Sequence, residues 1–264
     1  MRIISIHDKS RIESIVRQKP YLHLYELGDL NDTFFPHTVW YGLEDDDGNL
    51  LEIMLVFILP DEASIQALTT NSTENMRLLL QRGNALLPAK LRIQISQGLV
   101  DVLDYDIQEN RGHFYKMALR DIQAIETAHV TRATRLSMAD KDAIETLYQE
   151  SYPEAWVNMQ MVEDKRYFGI WDDNKLVSIA GLHVYAPDYQ AAALGAVTTH
   201  PDYRGQHLAT DCIAGLCQAL LAEGVSIIGL NVYQDNVAAI KLYQKLGFEI
   251  AHQYEDYSLI ARVP

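Results

Sequence analysis

An α/β fold built on a mixed sheet and divided between two domains is what this sequence predicts, and three observations predict it. Apolar residues alternate between short runs of strand character and runs recurring every four residues along a helix face, most clearly from about residue 130. The chain of 264 residues, 48% hydrophobic and 22% charged, is longer than one ordinary domain and has a globular composition. An aromatic-glycine strand, an acidic turn and an apolar strand occur twice in the same order, as Tyr41-Gly42-Leu43, Asp45 to Asn49 and Leu50 to Leu59, then as Phe168-Gly169-Ile170, Asp172 to Lys175 and Leu176 onward. Either the halves are two copies of one unit or two hairpins are alike by coincidence. The expected cut gives an N-terminal α/β domain over 1–128 and a second domain over 129–264.

In the first half, the hairpin is followed by a helix from about Thr73 to Leu87 and a strand at Leu91 to Ser96. The second half opens near Val130 with a short polar strand, after which Ser137 and Asp140 can cap a helix through Ile144, Leu147 and Tyr148. A further helix is expected around Glu154 to Val162. Tyr167 to Trp171 and Leu176 to Tyr185 flank Asp172-Asp173-Asn174-Lys175, which has the residues of a hairpin turn. Ala191 to Thr199 reads as the next strand, and Leu208, Cys212, Leu216 and Leu220 then mark a helix ending at Gly224. Ser226 to Val232 is a strand, Val237 to Leu246 a helix closed by Gly247, and Phe248 onward one or two last strands.

A formal net charge of -14 excludes general nucleic-acid binding, which depends on Lys and Arg neutralising phosphates. The same field favours a cationic small molecule. The two cysteines, Cys212 and Cys217, fall on one predicted helix pointing apart and without metal-ligand partners, so reduced core thiols and no metal are expected. No apolar run reaches the roughly 18 residues of a membrane span, and charges interrupt Met1 to Pro20. The expected setting is cytoplasmic, with no membrane partner.

Two segments carry chemistry. Leu194 to Thr210 runs from strand through a tight turn into a helix. The backbone N–H groups at such a helix start are unpaired and the helix dipole adds partial positive charge, which suits a pyrophosphate. Arg204 adds a full charge, and Gly205 lets a ligand approach the backbone closely. The second segment runs from Asn231 to Phe248: Asn236 suits a helix N-cap, Gly247 the left-handed position after the helix, and Ala239 and Tyr243 share a face. A small residue there leaves room beside a phenol that can donate a proton.

Together the two segments resemble the GNAT superfamily of N-acetyltransferases. Its signature Arg/Gln-x-x-Gly-x-Gly/Ala is matched by Arg204-Gly205-Gln206-His207-Leu208-Ala209 except at His207, where glycine is usual. A second signature, Asn-x-x-Ala-x-x-x-Tyr-x-x-x-Gly-Phe, is matched by Asn236, Ala239, Tyr243, Gly247 and Phe248. The resemblance covers roughly residues 130 to 262 and implies a sheet in which the strand 191–199 and the next one splay apart to admit acetyl-coenzyme A. It places the cofactor against Val197, Thr198 and Thr199, against Arg204, Gly205, Gln206, His207, Leu208, Ala209 and Thr210, and against Asn231, Asn236 and Ala239. Tyr243 becomes the proton donor to the departing thiolate. If the loop needs a positive φ at position 207, histidine is among the non-glycine residues that tolerate it. By the same resemblance the first half, which has no Arg-Gly loop, would be a degenerate copy walling the acceptor site.

The implied reaction joins an acetyl group to a primary amine of a small molecule or peptide by direct attack on the thioester. An aliphatic amine is mostly protonated at neutral pH, so a group must take its proton. Many relatives use a carboxylate near the position of Ala193, but Ala192 to Val197 offers no acid. His183 on the preceding strand and Glu154 near the first helices are the alternatives; His200, before Pro201, reads as loop structure. Two further readings stay open: a non-catalytic acyl-CoA-binding or regulatory module, and a tandem GNAT acyl or aminoacyl transferase.

Overall fold

The computed structural model describes residues 1–59, 62–153, 155, 157, 159–164 and 166–262. In chain order the elements are β1 (Arg2–Ile6), α1 (Lys9–Val16), α2 (Leu24–Asp29), β2 (Thr38–Glu44), β3 (Leu50–Ile58), β4 (Ala63–Ala67), α3 (Thr73–Gly83), β5 (Lys90–Ile95), β6 (Tyr105–Leu119) and α4 (Ile122–Glu126). There follow β7 (Thr134–Arg135), α5 (Lys141–Ser151), α6 (Met159–Glu163), β8 (Phe168–Asp172), β9 (Lys175–Ala186), β10 (Ala191–Thr199), α7 (Leu208–Ala222), β11 (Ile227–Tyr233), α8 (Val237–Lys245) and β12 (Phe248–Ala261).

The chain forms two compact units: Met1–Lys116 with Val232–Asp235 and Ile250–Pro264, and Met117–Asn231 with Asn236–Glu249. This partition differs from a single cut after residue 128, because residues 117–128 group with the second unit and residues 250–264 with the first. The reason lies in strand pairing. Phe248 onward forms one strand, and its Glu255 to Ile260 pair antiparallel with Ile95 to Lys90 of β5.

In the first unit the strands run β1-β2-β3-β4-β5-β12, antiparallel throughout except that β4 and β5 are parallel. Alternation decides the buried face: Leu91, Ile93 and Ile95 point into one core with Met76, Leu79 and Leu80 of α3, while Arg92 and Gln94 point away. Each fully buried leucine or isoleucine of that core contributes on the order of 2 kcal/mol. The helix begins where Ser72 accepts from Asn75 N at 3.1 Å, and its regular part stops at Gly83, followed by a 3₁₀ turn over Asn84–Leu86.

In the second unit β11-β10-β9-β8-β7 lie side by side, with β10 and β11 parallel and the other pairs antiparallel. Ser137 and Asp140 form the expected capping box, Ser137 N donating to the Asp140 carboxylate at 2.8 Å, and α5 then buries Ile144, Leu147 and Tyr148. Leu208, Cys212, Leu216 and Leu220 form the buried stripe of α7. The two units repeat one order of elements: strand, two helices, hairpin, a third antiparallel strand, a helix, and a strand parallel to the third. No helix among the described residues is long and apolar enough to cross a membrane.

Candidate functional site

Parallel pairing between β10 and β11 covers only Ala191 to Leu194 against Ile227 to Leu230, although β10 continues to Thr199 and β11 to Tyr233. The strands therefore part after Leu194 and Leu230, which leaves a row of backbone donors and acceptors along the opening. Asn231 is half-buried, one residue beyond the last pair.

On its other edge β10 meets β9 through two irregularities. Ala196 and Val197 together face the single residue Ala180, and His183 is the extra residue between the pairs Ala193–Val184 and Leu194–Leu182. Such bulges leave a residue outside the ladder and re-aim the backbone. Ala196 has φ +52°, a conformation that costs a residue with a Cβ about 1–2 kcal/mol, so its surroundings must hold it. Part of that hold is the Tyr148 hydroxyl of α5, which donates to Ala196 O at 2.5 Å. Burial keeps the Tyr148 phenol well above its ordinary pKa, and hence a donor. His183 is half-buried, and its ring lies over Gly195: a Cβ on Gly195 would stand 2.2 to 2.4 Å from ring Cδ2, Cγ and Nδ1. Only glycine leaves that ring where it is.

Beyond Thr199 the chain turns through Pro201–Tyr203 into Arg204, Gly205, Gln206 and His207, and α7 starts at Leu208. Gly205 has φ +78° and His207 φ +58°, so the backbone takes the left-handed conformation twice in three residues. His207 occupies the N-cap, yet its side chain bonds no helix amide, so the donors of Leu208, Ala209 and Thr210 gain no side-chain cap from it. In front of Gly205 the space is open, with no atom within 4 Å of where a Cβ would sit. Two guanidinium groups stand at this loop. Arg204 Nε donates to Thr199 O at 3.2 Å, and Arg132 bonds Asp211 at 2.7 Å and reaches Gln206 O at 3.5 Å. Asp211 would repel an anion at the helix start, and Arg132 offsets that charge. An uncapped helix start, a glycine with open space before it and two cations form a donor set that fits a diphosphate.

The loop is fastened from outside. His200 Nδ1 accepts from Asp202 N at 3.3 Å, and its Nε2 lies 3.2 Å from the Glu150 carboxylate and 3.0 Å from Lys175 Nζ. The Tyr203 hydroxyl donates to Asp172 at 2.7 Å. His200 thus serves loop structure. Thr198 donates to the Ser151 hydroxyl at 3.3 Å and the Thr199 and Ser178 hydroxyls are 2.8 Å apart, so both threonine side chains are engaged within the unit.

On α8, Asn236 accepts from Ala239 N at 3.1 Å, which makes it the helix cap expected from sequence and engages its carbonyl oxygen there. Tyr243, one turn after Ala239, is 8% exposed and meets the Phe248 ring edge-on with centroids 5.8 Å apart. Burial pushes its phenol far above the ordinary tyrosine range, with lesser contributions from Cys217 and Tyr152. It is a group that holds its proton until a basic partner is beside it. Cys212 and Cys217 are buried free thiols, Cys212 pushed up to about 12 by burial, and neither is a nucleophile at neutral pH. Among the described residues no group of His, Cys, Asp and Glu could hold a metal. Glu154 lies outside the described residues. Sequence reasoning passed over Arg132, the Tyr148 hydroxyl and the strained Ala196; the apolar stripe containing Tyr148 was readable, its bond to a strand 48 residues away was not.

The acetyltransferase (GNAT) family model matches residues 132–248. An acetyltransferase of Yersinia pestis is 30% identical over 97 residues, which are 37% of this chain and 67% of that protein. The chain belongs to the GNAT acetyltransferase family. Acetyltransferase SG1711 of Sodalis glossinidius is 45% identical over 51 residues, and there the match spans 19% of this chain and 36% of the relative. GNAT likeness in fold extends over both units: a tandem GNAT protein from the clavulanic acid biosynthesis pathway superposes with a TM-score of 0.58 at 12% identity, covering 100% of each chain.

Proposed function

We propose that the second unit transfers an acetyl group from acetyl-CoA to a primary amine of a small molecule or peptide, by direct attack and without a covalent enzyme intermediate. The observation that carries this reading is the parting of β10 and β11 beside the uncapped start of α7. Backbone groups of Val197, Thr198 and Thr199 border the opening, and Arg204 to Thr210, with Arg132, would hold the diphosphate. Asn231, Asn236 and Ala239 would line the other side. Bound there, acetyl-CoA supplies an acyl group already activated as a thioester.

The chain's own residues handle protons. Tyr243, kept protonated by burial, donates to the sulfur as it departs. Ala191 to Ala193 are fully buried and offer no carboxylate, so proton removal from the amine is assigned to His183, whose ring lies over Gly195, the first residue of β10 past its last pair with β11. The net charge of -14 favours a cationic amine as acceptor over any polyanion.

Release of free thiol from acetyl-CoA across a panel of amines tests the reading. Turnover with one class of amine supports it; tight binding of acetyl-CoA with no turnover would make the unit a binding module instead. Tyr243→Phe is expected to lower kcat by about 10²-fold or more with little change in cofactor affinity. Unchanged kinetics in that variant would remove the tyrosine from the chemistry.

A further inference from the structure

Because both units share one order of elements, the connection from β4 to α3 in the first unit corresponds to the loop from β10 to α7 in the second. At the former, the chain's own Glu52 fills the loop just before the helix, whose first residue is Thr73. Its Oε2 accepts from Thr70 N at 2.7 Å, and its Oε1 accepts from Asn71 N and Ser72 N, each at 2.7 Å. The side chain is fully buried on β3. Burial pushes its carboxyl above the usual range while the three backbone donors pull it the other way. A carboxylate thus sits on three consecutive backbone amides of the loop that leads into the helix, where an external anion would otherwise lie.

Two further differences point the same way. Pairing of β4 with β5 runs without a break from Ala63–Leu91 to Ala67–Ile95, and beyond it Ser96 N donates to Ala67 O at 3.1 Å while the Ser96 hydroxyl accepts from Thr69 N at 2.8 Å. These strands do not part. After β5 comes only the 3₁₀ turn Val100–Val102, with no helix to match α8 and no tyrosine in it.

We propose that the first unit carries a relinquished acyl-donor site sealed by Glu52, and that each chain takes up one coenzyme A, in the second unit alone. This rests on the reading that the second unit binds acetyl-CoA. Isothermal titration of the full chain with coenzyme A should give one equivalent, and Arg204→Glu should weaken it at least tenfold by placing a negative charge at the α7 loop. Gly205→Asp, whose side chain tolerates a positive φ, should do the same by an independent route. Two equivalents, or one equivalent unaffected by both substitutions, overturns the inference while leaving coenzyme A binding intact. No heat at all overturns the functional reading itself and this inference with it.

Discussion

Gly195→Ala probes the site through a single methyl group. The new Cβ would stand 2.2, 2.3 and 2.4 Å from Cδ2, Cγ and Nδ1 of His183, whereas carbon atoms pack at about 3.5–4.0 Å, so the ring must retreat by roughly 1 Å or more. The chain around it resists: Gly195 pairs with Gly181 on β9, and the bulge at Ala196 begins at the next residue. Overpacking of this kind costs about 1–3 kcal/mol of stability, visible as a lower Tm. If His183 takes the proton of the amine, a displacement of that size should lower kcat by about 10²-fold. The KM for acetyl-CoA should change little, because the phosphate loop is untouched. Steady-state thiol release gives both constants. The same substitution in a His183→Ala background separates catalysis from packing: with no ring to displace, its effect on kcat should fall to within about twofold. A full loss of kcat in that background, or none in the parent, would refute the argument that Gly195 acts by placing His183.

Arg204→Ala and Arg132→Ala should each weaken binding of coenzyme A by about threefold to tenfold at low salt, less at high salt, as read by calorimetry. Arg132→Ala also leaves Asp211 uncompensated in the first turn of α7, so Arg132→Ala with Asp211→Asn should recover part of the loss. Tyr148→Phe strips Ala196 O of a buried donor and should cost about 1–3 kcal/mol in urea unfolding, with a fall in kcat as the bulge relaxes. The buried thiol of Cys212 is raised from 9.0 to about 12, so the folded state favours its protonated form. That contribution is fully present below pH 9 and is lost as pH rises from 9 towards 12, at up to about 1.4 kcal/mol per unit. Urea midpoints should fall over that window, and a thiol reagent at pH 8 should modify the cysteines only after unfolding.

What the sequence made legible is what local chemistry decides. Asn236 before an apolar stripe and Gly247 after it delimit α8, and the observed cap bond and φ of +85° at Gly247 follow from those residue types. The turn at Asp172 to Lys175 is similarly local, with Asp173 at φ +48°. Elements whose reason is remote were not legible. Nothing near Phe248 tells that β12 pairs with a strand more than 150 residues earlier, and β4, Ala-Ser-Ile-Gln-Ala, gains strand character only from β3 and β5 beside it. The ion pair of Arg132 with Asp211 spans 79 residues and is equally silent in the local pattern.

The contrast between the two units carries this further. Both present a parallel strand pair joined through a helix, and in both the loop leading into that helix presents backbone amides in need of an acceptor. What separates an anion seat from a sealed one is neither the fold nor the loop alone. It is Glu52, a side chain on a neighbouring strand 18 to 20 residues before the amides it covers, together with the Ser96 hydroxyl that ties the strand ends. In the second unit Ser178, on the corresponding strand β9, is engaged with Thr198 and Thr199 instead, and no carboxylate reaches the α7 loop from that strand. A loop such as Arg204 to Thr210 signals where a phosphate can lie. Whether the place is vacant depends on which side chains its neighbouring strands send there.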